Sequence, residues 1–103
     1  MERTGKTFVI VTNDGPNSQD VFLTWTQEDG GYYTTTEWLD EVGEFDFFDT
    51  VDEAIERTKD VSSVTFGGWN WAPMKVMEVL NFDNAYYDNE YPELVEVQTI
   101  SFN

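Results

Sequence analysis

Thr50-Val51-Asp52-Glu53-Ala54-Ile55-Glu56-Arg57-Thr58-Lys59-Asp60 is the stretch that decides the fold. Thr50 followed three residues later by Glu53 is a capping box: a hydroxyl for the orphan N–H groups of a first turn, and a carboxylate reaching back. Val51, Ala54, Ile55 and Thr58 then recur at helical spacing. Asp52 and Glu53 fall at the positive end of the helix dipole, with Arg57 and Lys59 toward the negative end. The pattern predicts a helix from Val51 to about Asp60.

On both sides of this segment the pattern changes to short, β-rich runs. Before it stand Lys6–Thr12 (KTFVIVT), Asp20–Gln27 (DVFLTWTQ) and Tyr32–Thr36 (YYTTT). Turn formers at Asn13–Ser18 separate the first pair, and Glu28-Asp29-Gly30-Gly31 separates the second, offering glycine for positive φ. After the helix come Ser62–Phe66, Met74–Phe82 and Glu93–Phe102. Gly67–Pro73 reads as a loop or bulge, and Asp83–Pro92 as a polar, aromatic loop. In the last strand, alternation places Val95, Val97, Thr99 and Ser101 on one face, and Leu94, Glu96, Gln98, Ile100 and Phe102 on the other. Between Glu37 and Phe48, Trp38, Leu39 and Val42 permit a short helical turn that Gly43 breaks. The expected fold is α+β: one domain over residues 1–103, an antiparallel sheet of about five to six strands with one clear helix packed on one face.

Composition narrows the functions open to such a domain. Twenty-one acids face five bases, for a formal net charge of -16 on 103 residues. Hydrophobic residues make up 40% and aromatics 17%, which is core material and argues against disorder. With no Cys there is neither a disulfide framework nor a thiolate zinc site, and with no His the commonest general base and metal ligand are missing. No apolar run approaches the roughly 18 residues of a membrane span, and MERTGKTFVIVTND has no signal-like apolar region. The expectation is a cytoplasmic protein. Its charge repels nucleic acid and anionic lipid, so neither is expected as a direct partner.

The acids are unevenly spread. Glu37, Asp40, Glu41, Glu44, Asp46, Asp49, Asp52, Glu53 and Glu56 fall within twenty residues that contain no Lys, Arg or His. Trp38, Phe45, Phe47 and Phe48 interleave with them, so this is no solvated acidic tail. Self-repulsion at this density costs stability, and a basic partner would compensate. B-DNA carries one charge per roughly 1.7 Å of axis, so sixteen charges at that density would span roughly 27 Å. A compact domain of this length has a radius of gyration of about 13 Å, hence a comparable length. Helix neighbours at i, i+3 and i+4 lie about 5–6 Å apart and alternate strand residues about 6.5–7 Å, which approaches the spacing of successive phosphates. The nine acids are therefore the candidate partner-binding residues. The competing reading is an ordinary solubilising surface, although such surfaces mix the two signs.

Other constellations carry less. Asp83, Asp88, Glu90 and Glu93, with Asn81, Asn84 and Asn89, could offer oxygen ligands to Ca²⁺. The EF-hand spacing and its glycine are missing, so no metal or cofactor is expected. Trp69 and Trp71, with Tyr86, Tyr87 and Tyr91, could anchor a protein interface or stack sugars or bases, although the net charge argues against bases; the competing reading puts Trp69 and Trp71 in the core on alternate sides of an irregular strand. Paired carboxylates suffice for glycoside chemistry. But a cleft of a few hundred Å³ is hard to build in so short a chain, and no enzymatic activity is expected.

A small, single-domain, strongly acidic, aromatic-containing and cysteine-free chain resembles the DNA mimics encoded by phages and mobile elements: anti-restriction proteins, anti-CRISPR proteins and inhibitors of DNA-repair enzymes. The resemblance lies in charge and size over the whole chain. No family motif matches, and the class has no common fold. It implies an inhibitor that occupies the nucleic-acid site of a basic host protein, in the host cytoplasm if phage-encoded. The alternatives are an acidic protein–protein interaction domain that does not compete with nucleic acid, a halophile's housekeeping domain, and a small Ca²⁺-binding domain.

Overall fold

The computed structural model describes residues 5–13, 20–26, 30–63 and 74–100. In chain order these form β1 (Phe8–Asn13), β2 (Asp20–Thr26), β3 (Tyr32–Thr36), two 3-10 turns (Leu39–Glu41 and Glu44–Asp46), α1 (Val51–Ser63), β4 (Met74–Val79), α2 (Phe82–Tyr87) and β5 (Leu94–Ile100). The five strands make one antiparallel sheet in the order β3-β2-β1-β4-β5, with α1 as its main helix: an α+β fold.

β1 lies at the centre because it is apolar on both faces. Phe8, Val9, Ile10 and Val11 are all buried, so this strand reads as a continuous apolar run. Phe8 and Ile10 face one cluster with Leu23, Phe48, Ala54, Met74 and Val76, against which Val51 and Ile55 of α1 pack. Val9 and Val11 face the opposite cluster with Phe22, Leu39, Val42, Phe47, Val79, Phe82 and Ala85. α1 thus covers one side of the sheet, and the 3-10 turns with α2 cover the other.

The capping box forms at its hydroxyl end: the Glu53 N–H donates to Thr50 Oγ1 at 3.2 Å. Ala54 and Thr58 are fully buried on the inner stripe of α1, at the spacing the sequence shows. The helix extends past Asp60 to Ser63, so Arg57 and Lys59 sit mid-helix rather than in its last turn. Ser62 and Ser63, expected to start a strand, belong to α1; Val64–Phe66 lie outside the described residues, as do Trp69 and Trp71. At the start of β3 the expected glycine conformations occur, with φ 91° at Gly30 and 98° at Gly31. A Cβ on Gly31 would lie 2.5 Å from a ring carbon of Trp25, so the position excludes side chains twice over.

Two expectations are corrected near the C-terminus. The strand from Met74 ends at Val79, and the presumed loop after it begins with α2. Phe82 and Ala85 are buried, and Phe82 stacks on Tyr86 with centroids 5.2 Å apart, so the helix is held by packing. Asp88 is its C-cap, and Asn89 follows in the left-handed region at φ 55°, where Asn is tolerated. In β5 the simple alternation fails. Glu96 pairs with Met77 and Gln98 with Val76, leaving Val97 as an additional bulge residue. Val95 therefore sits opposite Glu78 and Thr99 opposite Lys75, on opposite faces of the sheet.

Candidate acidic interface

The acidic segment Glu37–Glu56 begins where β3 ends and is fastened at successive points. The Thr36 hydroxyl donates to Glu41 Oε2 at 2.7 Å and accepts from the Trp38 N–H at 3.1 Å. Leu39 and Val42 are buried in the core, turning Asp40, Glu41 and Glu44 outward. The Gly43 N–H donates to Thr24 Oγ1 at 2.8 Å. Phe47 then packs edge-on against Phe82, with centroids 5.1 Å apart, on one side of the sheet. Phe48 enters the cluster on the other side. Phe8 and Phe48 exchange both backbone hydrogen bonds at 2.9 Å, so the segment crosses between faces at a single β-bridge beside β1.

This crossing divides the exposed acids into two groups. Glu37, Asp40, Glu41 and Glu44 belong to the turns on one side; Asp49, Asp52, Glu53 and Glu56 belong to the start of α1 on the other. All eight are exposed. Asp49 stands just before the Thr50 cap; on α1 itself Asp52 and Glu53 each lie one turn from Glu56, at i, i+4 and i, i+3, with neighbours about 5–6 Å apart. Glu56 also holds Lys59 at 3.1 Å across an exposed helical pair of small energetic weight. The molecule measures 33 × 30 × 28 Å with a radius of gyration of 13.0 Å. Its length thus matches the roughly 27 Å that sixteen charges span at the axial density of B-DNA.

Asp46, the ninth acid of the expected array, is not part of the surface. It is buried at 4% exposure. Its Oδ2 accepts from Thr24 Oγ1 at 2.9 Å and from the Trp25 N–H at 2.8 Å, and its Oδ1 pairs with the Arg57 guanidinium. Arg57 also donates to the Phe45 carbonyl at 3.2 Å and lies over the Phe48 ring at 5.3 Å. A buried carboxylate needs this many donors to offset its desolvation. Asp46 is thus a buried structural residue and not one of the partner-facing carboxylates.

The aromatics of the segment divide in the same way. Phe47 and Phe48 are core residues, whereas Trp38 is 60% exposed and Phe45 is 82% exposed. Nothing in the local sequence separates them. Phe45 follows the buried Val42 at the same spacing that Val42 follows Leu39, but Gly43 breaks the turn between them.

The Asn81–Glu93 region is organised by Asn81, whose amide donates to the Tyr91 carbonyl at 3.0 Å and accepts from the Glu93 N–H at 2.7 Å. Both polar atoms of Asn81 thus hold backbone. Among the described residues no group of three acidic side chains lies close enough to hold a metal ion. An open depression of about 310 Å³ does form beside the start of α2, lined by Thr7, Leu80, Asn81, Phe82, Asp83 and Asn84 among others. A depression of this size departs from the expectation that so short a chain hardly builds a cleft of a few hundred Å³. Its lining combines one carboxylate with two amides and offers no paired carboxylates and no nucleophile–base pair. No described helix is long and apolar enough to cross a membrane. No protein-family model, curated protein or solved structure matches the chain.

Proposed function

We propose that this protein is a DNA-mimic inhibitor that occupies the nucleic-acid site of a basic host protein, as anti-restriction, anti-CRISPR and repair-enzyme inhibitors do. The supporting observation is the pair of exposed carboxylate groups, Glu37–Glu44 and Asp49–Glu56, carried on fastened turns and a capped helix. Carboxylates take the positions of phosphates opposite Lys and Arg, and each charge-assisted contact contributes roughly 1.5–3 kcal/mol. A folded scaffold already fixes the backbone that carries the charges, so less ordering is required on binding. The action is steric and electrostatic, with no catalytic step, and takes place in the cytoplasm of the host.

The test has two stages. Immobilised protein is used to capture partners from a bacterial lysate at low salt. The isolated partner is then titrated with a labelled oligonucleotide in the presence and absence of this protein. Competitive displacement that weakens steeply with salt is the expected result. A ternary complex with undiminished oligonucleotide affinity would replace the mimic by an acidic interaction domain that uses a separate surface.

A further inference from the structure

The rings of Trp38 and Phe45 lie outside both buried clusters, at 60% and 82% exposure. The same segment already supplies Leu39, Val42, Phe47 and Phe48 to the core, each at most 5% exposed. Yet the backbones that carry the two free rings are held in place. The Trp38 N–H is bonded to Thr36, and the Phe45 carbonyl to Arg57, with buried Asp46 directly following. Rings presented on fixed backbone lose little freedom on binding, which is the property of interface anchors. Exposed acids flank both: Glu37, Asp40 and Glu41 around Trp38, and Glu44 before Phe45.

We infer that Trp38 and Phe45 stand in for unstacked bases, so the partner site is one that takes single-stranded or extruded nucleotides. The inference rests on the mimic reading and narrows it. A duplex turns phosphates outward and keeps its base faces stacked inside, so a duplex-binding groove offers nothing for two projecting rings. A single-strand site combines a basic groove with aromatic side chains on which base faces stack. Carboxylates beside fixed rings reproduce both parts of that ligand: charge for the groove and a flat face for the platform.

The experiment uses three labelled lysine-rich peptides of equal length and charge, whose two variable positions hold Gly, Leu or Trp. They carry the groups by which single-strand sites hold their ligand, and binding is read by fluorescence anisotropy at low salt. The Trp peptide is expected to bind roughly tenfold more tightly than the Gly peptide, with Leu close to Gly. W38A and F45A should each reduce that advantage, leave the Gly peptide's affinity unchanged, and keep the parent's melting temperature because both rings are exposed. Equal binding of Leu and Trp peptides would overturn the inference in favour of a plain apolar contact. Equal binding of all three, or a Trp advantage that survives in the double variant, would overturn it as well while leaving the acidic array in place. Failure of every peptide to bind would strike the array reading itself.

Discussion

Asp46 and Arg57 form an ion pair that joins the turn Glu44–Asp46 to α1, with Thr24 and the Trp25 N–H as the carboxylate's further donors. It forms where β2 has run past its last pairing with β1, at Val11–Phe22, and continues against β3 alone. The backbone of Phe48 takes the place beside Phe8, and the Asp46 carboxylate serves the N–H of Trp25. The same pair links the two groups of exposed acids. The fixed geometry of the surface therefore depends on one buried member of the acidic run.

Asp46→Ala should accordingly destabilise the fold by about 3–5 kcal/mol, the usual result of removing one partner from a buried pair. Arg57 keeps some access to water, its side chain being 24% exposed, so the lower end is expected. Chemical denaturation of the single variants and of D46A/R57A would measure it. The double variant should recover part of the loss, because no unpaired charge is left behind. Additive losses would mean that Asp46 acts through Thr24 and Trp25 alone.

Thr50→Ala should cost about 0.5–2 kcal/mol, the value of an N-cap hydroxyl. The Glu53 N–H loses its 3.2 Å partner, while Val51, Ala54 and Ile55 keep their packing. Urea midpoints should therefore fall with no change in the slope of the transition. A slope that changes would indicate that α1 melts separately from the sheet.

Added monovalent salt should raise the melting temperature in the low range. Self-repulsion among exposed acids is screened as the Debye length falls from about 30 Å at 0.01 M to about 10 Å at 0.1 M. The net charge of -16 sets the sign of the effect. A thermal scan series in NaCl checks it. Stabilisation confined to molar salt would instead fit an acidic surface built for halophilic hydration.

What could be read in the sequence was whatever local chemistry determines. Thr50 and Glu53 mark the start of α1 because a cap is satisfied within one turn. The continuous run at Phe8–Val11 marks the central strand because both its faces are covered. α2 escaped notice because its six residues, FDNAYY, gain their helix from the packing of Phe82 and Ala85 on Val9 and Phe47, far away in sequence. The bulge at Val97 carries no Gly or Pro to announce it. Within the acidic run, the burial of Asp46 depends on Arg57 eleven residues later and on Thr24 in a different strand. A count of charges cannot reveal such a partner, and eight of the nine candidate acids were legible as surface while the ninth was not.

Charge reversal at chosen positions would separate a defined binding face from general acidity. Reversing Glu41 and Glu44 together to Lys should weaken association with the captured partner more than reversing Glu93 and Glu96. Both pairs change the net charge equally, and all four residues are exposed. Glu41 and Glu44 belong to the dense group beside Trp38 and Phe45, whereas Glu96 lies on an edge strand and already faces Lys75 at 3.6 Å. Reversal at Asp46 would test the fold instead, so Asp49→Asn/Asp52→Asn serves as the second probe of the array. Each lost contact with a partner Lys or Arg should cost roughly 1.5–3 kcal/mol, about tenfold or more in affinity. Melting curves accompany the titrations, because reversal at 41/44 relieves repulsion and at the same time removes the hydrogen bond from Thr36 to Glu41. Binding that falls equally for both reversed pairs, in proportion to net charge, would assign the attraction to the whole surface and remove the case for a defined mimic face.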